Sequence, residues 1–154
     1  MATEKRRIVA LDFGTKCGWC YCDPGGPRAG TENLRYARDS KGMFLIRFEQ
    51  FLNRLHGLGV DLVVFEDVVF SKFPKATQTW GAMFYFLAKW CEENGVEHCG
   101  VSVSEIKRWA TGKGNAAKPA MVAACNERYG LALGPKDDNE ADARLLLGCY
   151  TDGN

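Results

Sequence analysis

Short apolar runs early in the chain give way to helical spacing, and the change of period predicts the order of elements. Residues 7–13, centred on Ile8-Val9-Ala10-Leu11, read as a buried strand. Gly14-Thr15 makes a turn and residues 18–23 alternate as a second strand. Pro24-Gly25-Gly26-Pro27 is a strong loop signal, and residues 31–37 read as a third strand that completes an antiparallel meander. Phe44, Phe48, Phe51, Leu52 and Leu55 then recur at helical spacing, stopped by Gly57 and Gly59. Residues 61–66 form a near-continuous apolar run, as a strand covered on both faces requires. After a loop at 71–76, residues 77–94 predict a helix with two apolar stripes, one of Trp80, Met83, Phe84, Leu87 and Cys91 and one of Ala82, Phe86 and Trp90. Such a helix either lies in the core or packs on a partner chain. A strand at 96–103 follows, then a helix at 105–110 capped by Ser104, a loop at 111–115, a helix from Pro119 to Tyr129 and a last helix from about Asp138 to Tyr150. A meander followed by crossover helices predicts an α/β fold, a mixed five-stranded sheet flanked by helices, in one domain spanning 1–154.

Composition alters this picture little. Apolar residues make up 46% of the 154 and charged residues 25%, an ordinary globular mix. The formal net charge of +1 neither demands nor excludes a polyanionic partner, so the distribution of charge decides. Lys107, Arg108, Lys113 and Lys118 fall in a tract with no acid, and Lys72 and Lys75 follow the Glu66-Asp67 pair. These residues are the candidate nucleic-acid contacts. Neither a signal peptide nor a membrane span is expected, and the seven cysteines read as reduced thiols in a cytoplasmic protein. Cys17, Cys20 and Cys22 lack a second pair at zinc spacing and read as structural.

The acids carry more information. The first apolar strand runs into Asp12, the fourth into Glu66, and Asp138-Asn139-Glu140-Ala141-Asp142 opens the last helix. A carboxylate at the end of a buried strand is costly unless a cation balances it. Strands one and four are expected side by side, which would bring Asp12 next to Glu66. On the helix, Asp138 and Asp142 share a face, as do Asn139 and Asp142. Several carboxylates at one point suit hard divalent cations such as Mg²⁺ or Mn²⁺, and a two-metal site of this kind hydrolyses phosphodiesters.

At these residues the chain resembles the RuvC-like Holliday junction resolvases of the ribonuclease H-like nuclease superfamily. Ile8-Val9-Ala10-Leu11-Asp12-Phe13-Gly14-Thr15, followed by Gly18-Trp19, is similar to the first motif of that family, with Phe13 where a proline is common. Val64-Phe65-Glu66-Asp67 is similar to its Glu motif, Lys107 through Lys118 to its lysine-rich segment, and Asp138 through Ala143 to its acidic helix. The compact length looks like a phage-type member, placed in the host-cell cytoplasm. The resemblance implies a homodimer, formed through the helix at 77–94, that needs Mg²⁺ or Mn²⁺ and cuts opposed strands of a four-way DNA junction to leave 5′-phosphates. It implies Asp12, Glu66 and Asp142 as metal ligands, with either Asp138 or Asn139 as the fourth. It places Lys118, with Lys107, near the scissile phosphate and Phe70 as an aromatic that wedges against junction bases, a role open to Phe73 as well. Three other readings keep some of these residues: a nuclease of the same fold acting on other branched or RNA–DNA substrates, a junction-binding module without catalysis, and an actin-like ATPase, for which the chain lacks a second lobe.

Overall fold

The computed structural model describes residues 5–23, 25–68 and 73–153. The elements are β1 (Ile8–Asp12), β2 (Lys16–Asp23), β3 (Gly26–Asn33), α1 (Met43–Gly57), β4 (Leu62–Asp67), α2 (Pro74–Asn94), β5 (Glu97–Ser102), α3 (Val103–Thr111), α4 (Lys118–Tyr129), a 3₁₀ turn (Pro135–Asp137) and α5 (Asp138–Gly153). The sheet order is β3-β2-β1-β4-β5. The two hairpins of the meander are antiparallel, and the pairings of β1 with β4 and of β4 with β5 are parallel. This is the mixed five-stranded sheet expected from the sequence.

Strand alternation divides the core between the two faces of the sheet. Val9, Leu11, Val63 and Phe65 point toward α1 and α2, where Phe48, Leu52, Met83 and Leu87 are buried. Ala10, Leu62 and Val64 point the other way, onto Ile106, Met121, Cys125, Leu145 and Leu146 of α3, α4 and α5. Central strands covered on both sides must be apolar throughout, which is why β1 and β4 read as unbroken runs. Their acids appear only where the cover ends.

Several boundaries differ from the sequence reading. The third strand begins at Gly26 rather than residue 31, because the ladder with β2 already pairs Asp23 with Gly26 and Cys22 with Pro27. Gly26 has a φ of +118°, which suits the reversal, and Pro27 is tolerated because β3 is an edge strand. Residues 34–37 leave the sheet, although Leu34 stays buried and its N–H donates to the Thr15 carbonyl at 2.8 Å. Helix α2 starts at Pro74, so part of the expected loop is helical. Proline fits the first turn, where its missing N–H costs nothing. Ser102, not Ser104, caps α3, with its hydroxyl accepting the Glu105 N–H at 3.3 Å. The two stripes of α2 form one broad inward face: Phe86 packs on Phe48, and the buried Trp90 donates its indole N–H to Asn53 Oδ1 at 2.9 Å. What points outward is Tyr85, 74% exposed.

Candidate active site

The parallel register pairs Leu11 with Phe65, so the next residues, Asp12 and Glu66, leave the sheet side by side. Helix α5 brings the third acid. It crosses β1 and β2 on the face opposite α1 and α2, and glycine makes that approach possible. A Cβ at Gly18 would lie 1.9 Å from the Asn139 carbonyl oxygen, so only glycine lets the first turn of α5 meet β2 at this distance. Ala141, Leu145 and Leu146 then pin the helix to the sheet. Asp12, Glu66, Asn139 and Asp142 line one cleft of about 400 Å³, together with Lys118 and Trp80. Glu66 and Asp142 also line an adjoining recess between α3 and α4, with Lys107 and Lys118.

The electrostatics show how expensive this arrangement is. Burial pushes the Asp12 carboxyl well above its ordinary range, and repulsion from Asp142 and Glu66 pushes it further, against the pull of Lys118. Burial likewise raises Glu66, opposed by Lys107 and Lys118. Asp142 is raised to about 7 by burial, then by Glu66 and Asp138, with Lys118 and Lys107 opposing. Lys118 Nζ donates to Asp138 Oδ2 at 3.1 Å, and this bond raises the lysine, so its ammonium is retained.

Asp138 and Asn139 therefore take different places. Asp138 holds Lys118 and borders a more apolar pocket with Pro119, Val122 and Leu133, whereas Asn139 lines the cleft of the three acids. Among the described residues, no group of three or more His, Cys, Asp or Glu side chains stands in an arrangement that would hold a metal ion as placed. The donor chemistry nevertheless fits a hard divalent cation, because the cleft gathers carboxylates that two lysines do not neutralise.

The other expected contacts scatter. Lys107 faces the recess, whereas Arg108 and Lys113 are exposed on α3 and the loop after it. Phe73 is 71% exposed at the start of α2, and Lys75 faces a groove on the other side of that helix from the cleft. Phe70 and Lys72 lie outside the described residues. The seven cysteines are free thiols; burial raises Cys17 well above its ordinary range and Cys20 to about 12, which suits structural residues.

Sequence reasoning missed Trp80 as a site residue. Its Nε1–H donates to the main-chain carbonyl of Glu66 at 2.9 Å, and its ring stacks on Phe84 at 5.1 Å. A tryptophan in an apolar stripe gives no sign of such a bond. Its polar N–H, which seeks an acceptor when buried, was the only available signal. Phe13 stacks on Phe65 at 5.3 Å and contacts Trp80, so this aromatic cluster accounts for the residue that stands where the resemblance expects proline.

No family model matches the chain. It is 29% identical over 155 residues to the crossover junction endodeoxyribonuclease RuvC of Rhodococcus jostii (strain RHA1), covering 94% of this chain and 80% of that protein. Its fold is similar to that of T. thermophilus RuvC in complex with a Holliday junction substrate, with a TM-score of 0.75 at 19% identity over 96% of this chain and 93% of that one. A second Thermus thermophilus RuvC structure gives 0.72, again at 19% identity, over 96% of each chain. In the order of its motifs and in its fold, the chain is RuvC-like.

Proposed function

We propose that this chain is a structure-selective endonuclease that resolves four-way DNA junctions by metal-dependent hydrolysis. The observation that carries the proposal is the convergence of Asp12, Glu66 and Asp142, from two strands and a helix, in one cleft beside Lys118. The similarity to RuvC proteins, one of them seen with a Holliday junction substrate, supports the choice of substrate.

In this reading Asp12, Glu66 and Asp142 hold divalent cations, with Asn139 contributing its side-chain oxygen. Mg²⁺ or Mn²⁺ would activate a water and stabilise the leaving oxygen. Water adds to phosphorus, the bond from phosphorus to the 3′ oxygen breaks, and the products are a 3′-hydroxyl and a 5′-phosphate. The protein has two tasks around that reaction. Asp138 holds the Lys118 ammonium at the edge of the cleft, where it can meet a phosphate oxygen. Lys107, beside Glu66 and Asp142, adds positive charge on the α3 side. The two symmetric cuts that leave ligatable products need two such sites, which a homodimer through the 77–94 helix would supply, with the outward Tyr85 on the contact.

The test is a synthetic four-way junction incubated with the protein and Mg²⁺ or Mn²⁺, beside linear duplex and RNA–DNA hybrid. Paired cuts confined to the junction are expected. Asp12→Asn is expected to abolish cutting and retain junction binding. An intact junction in every divalent ion, with folded protein, refutes the proposal, and preferential cutting of the hybrid reassigns the substrate.

A further inference from the structure

The first two turns of α2 separate two grooves of opposite character. Ala76 and Trp80 border the acidic cleft. On the other side of the helix, Lys75, Gln78 and Thr79 border a groove of about 480 Å³ that is completed by Arg35 and Lys41 from the β3–α1 connection and by Phe44 of α1. Among the described residues, three cations and no acid line it. The acid near Arg35 is Asp39, and its charge is already matched. Arg47 Nη2 donates to Asp39 Oδ1 at 3.1 Å, Arg47 Nη1 donates to the other oxygen, and the Tyr36 N–H donates to it at 2.7 Å. Glu32, further along β3, is paired with Arg54. Three uncompensated cations in one groove are a local concentration of charge in a chain whose net charge is +1.

We propose that this groove is a second DNA-backbone site, which holds an arm of the junction other than the strand being cut. The proposal rests on the nuclease reading above. A phosphate backbone matches the groove in sign and in kind: three cations for the phosphates, and the Gln78 and Thr79 side chains as neutral donors. The groove and the cleft flank the same two turns of α2, so one branched substrate can reach both. The groove sits at the N-terminal end of α2, about two turns before the outward Tyr85.

The double variant Arg35→Gln/Lys41→Gln tests this, since both residues are exposed and the substitutions leave the core untouched. Binding to a four-way junction and to linear duplex of the same length is measured in Ca²⁺ over a series of salt concentrations, with wild-type junction cleavage followed in parallel. The variant is expected to bind the junction at least tenfold more weakly, to lower the slope of log K against log salt by about 2 for two lost phosphate contacts, and to bind linear duplex as the wild type does. Unchanged junction affinity and slope, while the wild type cuts junctions, overturns the second site and leaves the nuclease reading standing. An equal loss on linear duplex also overturns it, because the groove would then be a general DNA contact. A wild type that neither binds nor cuts junctions overturns both.

Discussion

Asp142→Asn should make the metal-free protein more stable while destroying its activity. The reason is the cost of holding an ionised Asp142 beside Glu66, Asp12 and Asp138. Moving its carboxyl from 3.8 to about 7 corresponds to about 4 kcal/mol at roughly 1.4 kcal/mol per pH unit. The folded pKa is raised, so the folded state binds the extra proton and stability falls as pH rises from about 4 to about 7, with the full penalty present above that window. Asparagine removes the charge but leaves a partly buried amide, which returns about 1–3 kcal/mol of the gain. A net gain of about 2 kcal/mol is expected at pH 8, or roughly 4–8 °C in Tm for a chain of this size. The assay is thermal melting in EDTA at pH 8 and pH 5. The variant should melt higher at pH 8, and its advantage should shrink to less than half at pH 5. Mg²⁺ or Mn²⁺ should then raise the wild type more than the variant, because binding to the folded state adds stability by mass action. A variant that melts at or below the wild type in EDTA at pH 8 refutes the electrostatic account of the cleft.

Trp80→Phe keeps an aromatic ring against Phe84 and Phe13 but removes the hydrogen bond to the Glu66 carbonyl. One such bond is worth about 1 kcal/mol, so the single-turnover cleavage rate should fall about fivefold with junction affinity in Ca²⁺ unchanged; an unaltered rate removes Trp80 as a positioning residue. Gly18→Ala drives a methyl into the Asn139 carbonyl, so α5 must shift. It should cost about 1–3 kcal/mol by melting and, because Asn139 and Asp142 ride on that helix, should slow cleavage by more than the loss of folded protein explains; wild-type Tm and rate would show that the helix does not depend on this contact.

Much of this site was legible because its signals are local. Asp12 and Glu66 end apolar strands, and the strand period fixes where such residues emerge. Asp142 is visible from helical spacing. Which of Asp138 and Asn139 lines the cleft was not legible, since both share a face with Asp142 and Lys118, twenty residues away, draws Asp138 to itself at 3.1 Å. Trp80 was hidden because its partner is a main-chain carbonyl, which leaves no trace in residue identity. The groove of Arg35, Lys41 and Lys75 was hidden for another reason: two of its cations lie on the connection after β3, whose end the apolar pattern placed at residue 37 instead of Asn33. Errors of register at an edge strand are expected where one face meets solvent and few side chains are fixed by packing.

The stability of the cleft is a contest between helix docking and repulsion. Leu145, Leu146 and Leu147 of α5 are nearly or fully buried, and burying each is worth about 1.5–3 kcal/mol, an upper figure because an unfolded chain already hides part of that surface. Together they are of the same order as the penalty of about 4 kcal/mol for Asp142. Apolar burial along α5 therefore offsets much of the repulsion that Asp142 meets beside β1 and β4. Lys118 contributes less to this balance than its ion pair suggests, because its side chain is 77% exposed and water screens the pair. Its value lies in position. The packing of α5 holds Asp142, Gly18 sets how closely that helix approaches the sheet, and the exposed Lys118 ammonium stands beside the cleft.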